Sequence, residues 1–354
     1  MFRKILQKIK QELMIRGLRS EVREVKFFPS RVDDPTTKTV LIIAPGSLTI
    51  PTPDWGAVEI IIHETIPLFQ AHNLNVLLLN SNHRKDWRQT KDHHIDVILS
   101  HNDLQVKRAK QTWKNIPLIS VSHYGLAAFP ELWHKSYQKT FKNIMHADVI
   151  ICLSEEVKKT FSKFLDSSKL VVVPNGSEFR AKFDSPKNGK LVYLGKVEAR
   201  KRQLEYSKQA IQQDLGIEFI GPIADSRVMD AISIDELPKH MFPGGKTRHE
   251  LEGLLGSYSA LLLLSEGEGD ALVLYEAQIA GLPIIVNKNS LGSQDESLPW
   301  VYVIDKFGDL PKISREVNGW ANNTHVISEY ASLNYTWAKR ILPLIRVIKE
   351  QIQS

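Results

Sequence analysis

One cysteine, Cys152, in a chain of 354 residues excludes a disulfide framework and any cysteine-based zinc site. It lies in the apolar run Val149 to Leu153 and reads as a buried strand thiol, not a nucleophile. No run approaches the ~18 apolar residues of a membrane-spanning helix. Asp-x-Asp, His-Glu-x-x-His and Gly-x-Gly-x-x-Gly are all missing. That argues against a metal-dependent transferase of the single-domain nucleotide-sugar kind, a zinc hydrolase and a dinucleotide enzyme. A Walker loop is missing too. Gly244-Gly-Lys-Thr247 lacks the upstream glycine at the required spacing and reads as a loop before a helix at 248.

What is present belongs to a globular chain: 42% hydrophobic and 24% charged residues, enough to build sizeable cores. The length suggests two domains at about 150 residues each. A net charge of +6 suits polyanionic partners, among them lipid head groups, nucleotide diphosphates and nucleic acid. Residues 1–16 read as an amphipathic helix with Phe2, Ile5, Leu6, Ile9 and Leu13 opposite Arg3, Lys4, Lys8 and Lys10. Charges interrupt each apolar segment there, so the stretch does not read as a signal peptide. It is expected either to pack on the protein or to hold an anionic membrane surface weakly, on a cytoplasmic protein.

Strands alternate with helices along the chain. Strands are expected over 39–44, 75–79, 96–100, 117–122, 148–153 and 169–173, with helices over 56–69 and 155–164. After a polar stretch from Ser177 to Lys190 the same grammar restarts, with strands over 190–194, 217–220, 239–242, 260–264, 284–286 and 301–304. A last helix spans Tyr335 to Gln353. This spacing implies two successive Rossmann-like, doubly wound α/β domains with parallel sheets. Domains are expected over 1–176 and 177–334, with 335–354 returning to the first.

The densest chemistry lies in Ser265 to Gly281, SEGEGDALVLYEAQIAG. It joins a buried strand to a helix of three turns starting at Asp270 or Ala271. The free N–H groups of that first turn make an anion site at the carboxyl end of the sheet. Glu268 in the loop and Glu276 in the helix could face one crevice; alone, such a pair is commonly a loop charge and a solvated helix residue. Gly195 follows another strand directly, with Lys196, Arg200, Lys201 and Arg202 after it. A basic cluster beside helix N–H donors is a diphosphate site in physical terms, although a solvated basic turn fits the residues as well. His101 and His123 each end a strand, which points to a crevice in the first half.

These residues resemble the retaining glycosyltransferases of GT-B fold, the glycosyltransferase family 4-like or "group 1" enzymes, over nearly the whole chain. The family's Ser-x-x-Glu-Gly-Phe-Gly-Leu, followed by Glu, Ala and Gly-x-Pro-Val-Ile, is matched by Ser265, Glu268, Gly269, Leu272, Glu276, Ala277, Gly281, Pro283, Ile284 and Ile285. Gly195, Lys196 and Lys201 are similar to its phosphate motif of Gly-Arg followed by a Lys. His101 sits where its sugar-site histidine follows Asp-Val. Pro174-Asn175-Gly176 resembles its interdomain turn, Gly56-Ala-Val-Glu59 its glycine-rich loop, and Trp337 its C-terminal Ser-Trp.

The resemblance implies a metal-independent transferase without cofactor that moves a hexose from a UDP- or GDP-sugar to a glycan or lipid-linked acceptor. Glu276 would take the ribose, Lys196 and Lys201 the diphosphate, and backbone N–H groups at Gly269, Asp270, Ala271 and Leu272 would help. Glu268 and His101 would hold the sugar, with Gly195 and Gly56 allowing close backbone approach. A transferase acting on a polymer such as DNA, or an inactive sugar-nucleotide-binding partner subunit, are the rival readings. Three departures stand out: Asp270 and Ala271 for the family's Phe and second Gly, Gly56-Ala57 for its Gly-Gly, and Lys196 for its Arg. A carboxylate at Asp270 would either read an unusual sugar or point elsewhere.

Overall fold

The protein is described from a computed structural model over residues 22–32, 34–52, 55–181, 185–222 and 241–353. The expected helix over 1–16 lies outside these residues. The apolar runs form strands buried on both faces, as parallel strands covered by helices must be.

The first domain is a seven-stranded sheet in the order β1-β3-β2-β4-β5-β6-β7. Its strands are β1 (Arg23–Phe28), β2 (Lys38–Ile43), β3 (Leu74–Ser81), β4 (Val97–Ser100), β5 (Leu118–Val121), β6 (Val149–Cys152) and β7 (Leu170–Val172). Helices α1 (Ala57–Ala71), α2 (Arg84–Thr90), α3 (Val106–Thr112), α4 (Lys135–Ile144) and α5 (Glu155–Phe161) connect them. Alternation along β2 separates two cores. Val40 and Ile42 pack with α1 on one face, and Leu41 and Ile43 pack towards Trp87, Val106 and Phe141 on the other.

The second domain has five parallel strands in the order β12-β11-β10-β8-β9. They are β8 (Leu191–Leu194), β9 (Ile217–Ile220), β10 (Ala260–Leu263), β11 (Ile284–Val286) and β12 (Val301–Val303). Among the described residues the helices of this half are α6 (Gln203–Gln212), α7 (Arg248–Leu254), α8 (Leu272–Ile279), α9 (Leu310–Val317) and α10 (Thr324–Asn334). The chain then returns: Trp337, Ile341, Leu344, Ile345 and Ile348, on and between α11 (Trp337–Arg340) and α12 (Leu342–Gln353), pack in the core of the first domain beside α1.

Four expectations need correction. β1 has no counterpart among the expected strands; it pairs antiparallel with β3 at the sheet edge. No strand forms at Met241 and Phe242, where the chain meets β9 only through a bridge from Ile220 to Gly244; positions 239–240 lie outside the described residues. The helix after β10 starts at Leu272, not at Asp270 or Ala271, and makes two turns. The last helix is interrupted at Ile341, because Pro343 lacks the N–H that would continue α11 and its ring crowds the preceding turn.

Candidate active site

Both sheets reverse direction of winding beside the same crevice. In the first sheet β2 and β4 flank the switch point, in the second β8 and β10, and open α/β sheets bind ligands at such points. A crevice of about 300 Å³ opens there, lined from the first domain by Gly56 and His123 and from the second by Gly195, Lys196, Lys201, Glu268 and Leu272.

Glu268 is one of the residues lining it. Lys201 Nζ donates to its Oε1 at 2.8 Å and Ser265 Oγ at 2.9 Å, while Arg200 Nη1 lies 3.0 Å away. Burial pushes this carboxyl up, but Lys201 and Arg200 outweigh it and hold the group below the usual glutamate range. Glu268 is therefore a fixed anion, not an acid that carries a proton. Arg200 also donates to Gly267 O and pairs with Glu198 at 2.6 Å. Lys196 is exposed in the crevice and carries no ion pair among the described residues. Of the three cations it alone is free to meet an incoming anion.

Gly195 makes this packing possible. It adopts φ +154°, and a Cβ there would come within 3.1 Å of the Lys201 Nζ and Cδ atoms. Beyond it, Ala271 leads into α8, whose first N–H groups have no intrahelical partner and face the same space. Cations and N–H donors thus converge on one side of the crevice, where they can bind a diphosphate.

Asp270 does not face the crevice with its carboxylate. Asn175 N donates to Oδ2 at 2.7 Å, Ser293 N to Oδ1 at 3.1 Å, and Tyr275 OH to both oxygens. Asn175 Nδ2 donates in turn to Asp270 O at 2.7 Å, and Ser293 Oγ donates to Leu153 O of the first domain. Burial, partly offset by these donors, raises this carboxyl to about 6. The departure from the family's Phe therefore serves the joint between the domains.

The histidines are arranged differently from expectation. His123 lines the crevice, whereas His101 stands behind it, fully packed, with Nδ1 2.9 Å from His123 Nε2 and the rings stacked at 5.2 Å. His101 Nε2 is buried without a partner. Burial, then the neighbouring His123, pushes His101 well below the usual histidine range, and burial pushes His123 down to about 4. Both rings are neutral near pH 7. Of the two rings, His123 is the one that borders the crevice, and His101 packs behind it.

Glu276 lines an adjoining recess of about 90 Å³ with Trp55, Lys246, Arg248 and Leu272. Arg248 Nη1 donates to Glu276 Oε1 at 2.6 Å, and its Nη2 donates to Glu64 Oε1 of α1 at 2.6 Å. Trp55 borders both the crevice and the recess, and its indole N–H is buried without a partner. Trp55, Arg248 and Glu64 carry no signal in the sequence, since nothing local marks a residue whose neighbours in space come from distant parts of the chain.

Two Rossmann-like domains facing one crevice, with cations and helix N–H groups on one side of it, have the GT-B fold. Residues 38–178, less than half of the chain, match the model of Glycosyltransferase Family 4. No curated protein matches the chain by sequence. Similar solved structures include Anabaena HepE in complex with UDP and glucose, 14% identical, covering 88% of this chain and 100% of that one with a TM-score of 0.66. Sucrose-phosphate synthase from Thermosynechococcus elongatus is 14% identical, with 89% and 99% covered and a TM-score of 0.68. The lipopolysaccharide outer core galactosyltransferase WaaB, in its apo form, is 16% identical, with 89% and 99% covered and a TM-score of 0.62.

Proposed function

We propose that the protein is a retaining hexosyltransferase that takes a sugar from a UDP- or GDP-sugar and passes it to a glycan or lipid-linked acceptor, without a metal. The observation that carries this reading is the convergence of Lys196, Lys201 and the α8 N–H groups on one corner of the crevice, with Glu268 beside them. Departure of the nucleotide diphosphate builds negative charge at that corner, and donors fixed in place before the reaction stabilise it without reorganising. Lys196 supplies charge that no ion pair engages; Lys201, paired with Glu268, supplies position. Glu268 holds a hydroxyl of the sugar, His123 contacts the sugar from the opposite domain, and His101 orients His123. Glu276 accepts from a ribose hydroxyl, in competition with Arg248. That HepE was solved with UDP and glucose, and that WaaB is a galactosyltransferase, supports a nucleotide-sugar donor for this chain. Residues 1–16 would add a weak hold on an anionic membrane, as suits an acceptor carried by lipid.

A thermal-shift screen of UDP, GDP and their sugars tests the reading, followed by transfer assays in the presence of EDTA. Glu268→Gln, which keeps the shape but not the charge, should remove transfer and leave the fold intact. Wild-type rates in that variant would refute the assignment.

A further inference from the structure

The recess that adjoins the crevice is largely apolar. Ala57 and Ile60 line it from the first domain, and Leu251 and Val273 from the second, around about 90 Å³. Its charged members are already engaged: Arg248 with Glu276 and Glu64, and Lys246 with Glu250 at 3.6 Å. Such walls suit a flat, weakly hydrated ring; a phosphate or a free sugar would lose water there without replacement. Glu276, which the proposed function gives to the ribose, lines the same recess, so the base is the part of a nucleotide that reaches it.

One donor in these walls is unanswered. The indole N–H of Trp55 is buried without a partner, an arrangement that buried tryptophans usually avoid. Gly245 keeps the space beside it open. A Cβ on that glycine would have Trp55 Nε1 as its nearest neighbour at 3.4 Å, with Pro222 at 3.5 Å. A ligand oxygen that takes this space comes within hydrogen-bond reach of the indole. Val197 N donates to Pro222 O at 2.8 Å, which sets the same spot beside the cationic turn at 195–201.

We propose that Trp55 and Gly245 read the base of the donor, and that the base is uracil; this rests on the nucleotide-sugar reading of the crevice. Two filters act together. The first is size: a cavity of roughly 150 Å³ takes benzene, so a recess of about 90 Å³ takes the leading part of one six-membered ring and not a purine. The second is polarity. The edge that enters first is the one opposite the bond to the ribose. Uracil carries a carbonyl there, which accepts from the indole N–H, whereas cytosine carries an amine, a donor that meets another donor. A site built to hydrogen-bond one group rejects the analogue that lacks it, because its own polar atom then stays unpaired. Trp55 belongs to the first domain and Gly245 to the second, so a bound uracil is held by both.

Isothermal calorimetry of UDP, CDP and GDP against the full chain tests the assignment. The parent should bind UDP about tenfold more tightly than CDP, which has a ring of the same size and the same phosphates, and more tightly than GDP. Trp55→Phe keeps an aromatic ring and removes the N–H. Gly245→Ala fills the space at ordinary van der Waals contact, on a backbone outside the left-handed region. Each should bring UDP down to the level of CDP and leave CDP unchanged. Should Trp55→Phe disturb folding, judged by circular dichroism, Gly245→Ala carries the test. Equal binding of UDP and CDP by the parent, tighter binding of GDP, or a preference for UDP that survives both substitutions would overturn the assignment of the base and leave the nucleotide-sugar reading in place. No binding of any of the three nucleotides would overturn both.

Discussion

The guanidinium of Arg248 holds Glu276 and Glu64 at once, each at 2.6 Å, and so joins α8 of the second domain to α1 of the first. Glu64 also accepts from Trp337 Nε1 at 2.8 Å, which ties the returning C-terminal segment into the same network. Arg248 is 28% exposed and its two partners less than 10%. Removing it strands two buried carboxylates, so Arg248→Ala should cost about 3 kcal/mol of stability, read from chemical denaturation. The same variant frees Glu276 and should improve ribose recognition, seen as a larger loss of affinity on going to a 2′-deoxynucleotide in the variant than in the parent.

Asp270 gives a pH signature. Its buried carboxyl is raised to about 6, so the folded state binds more protons than the unfolded one between pH ~4 and 6. Its favourable contribution is fully present below the lower value and is lost as pH rises through the upper one. The stability difference between the parent and Asp270→Asn should therefore shift by up to about 3 kcal/mol against the parent between pH 4 and 7. Urea titrations at several pH values measure it, and parallel pH profiles for the two proteins would count against it.

The histidine pair acts with the opposite sign. Both rings are depressed in the folded state, so stability falls as pH drops below the ordinary histidine value of about 6.5. His123→Ala should weaken binding of a nucleotide sugar by about fivefold while leaving the bare nucleotide diphosphate untouched, the cost of one hydrogen bond on the sugar side. His101→Ala should reduce the same discrimination less and flatten the acid slope more.

Gly195 is required where it stands. At φ +154°, with Lys201 pressed over it, Gly195→Ala should cost about 1–3 kcal/mol and displace the lysine from Glu268. Thermal denaturation and nucleotide calorimetry should move together in this variant.

Much of this architecture was legible in the chain because buried parallel strands announce themselves as apolar runs, and every expected strand except that over 239–242 lies where its run does. β1 escapes such a reading because an edge strand is half solvated: Val25 and Phe27 alternate with Glu24 and Lys26, a period-2 signal in a short and highly charged stretch. The helix after β10 looks longer in the sequence because neither Gly269 nor Asp270 breaks a helix outright. What holds Asp270 out of it is its bonding to Asn175 and Ser293, across 95 and 23 positions. The cationic corner of the crevice can be read from Gly195 to Lys201 and from α8 because its residues are local in sequence. The order of the histidines cannot, since both end adjacent strands and only the packed rings decide which one faces the crevice.

Binding of a nucleotide diphosphate beside Lys196 is the central proposal, and isothermal calorimetry of UDP and GDP against the parent and Lys196→Ala tests it most directly. One of the two nucleotides should bind the parent, and Lys196→Ala should weaken it about tenfold, the loss of a charge-assisted contact, with the fold unchanged because Lys196 is exposed and outside any ion pair among the described residues. Equal affinity of the parent and Lys196→Ala for the nucleotide, or no binding of either nucleotide by the parent, would contradict it.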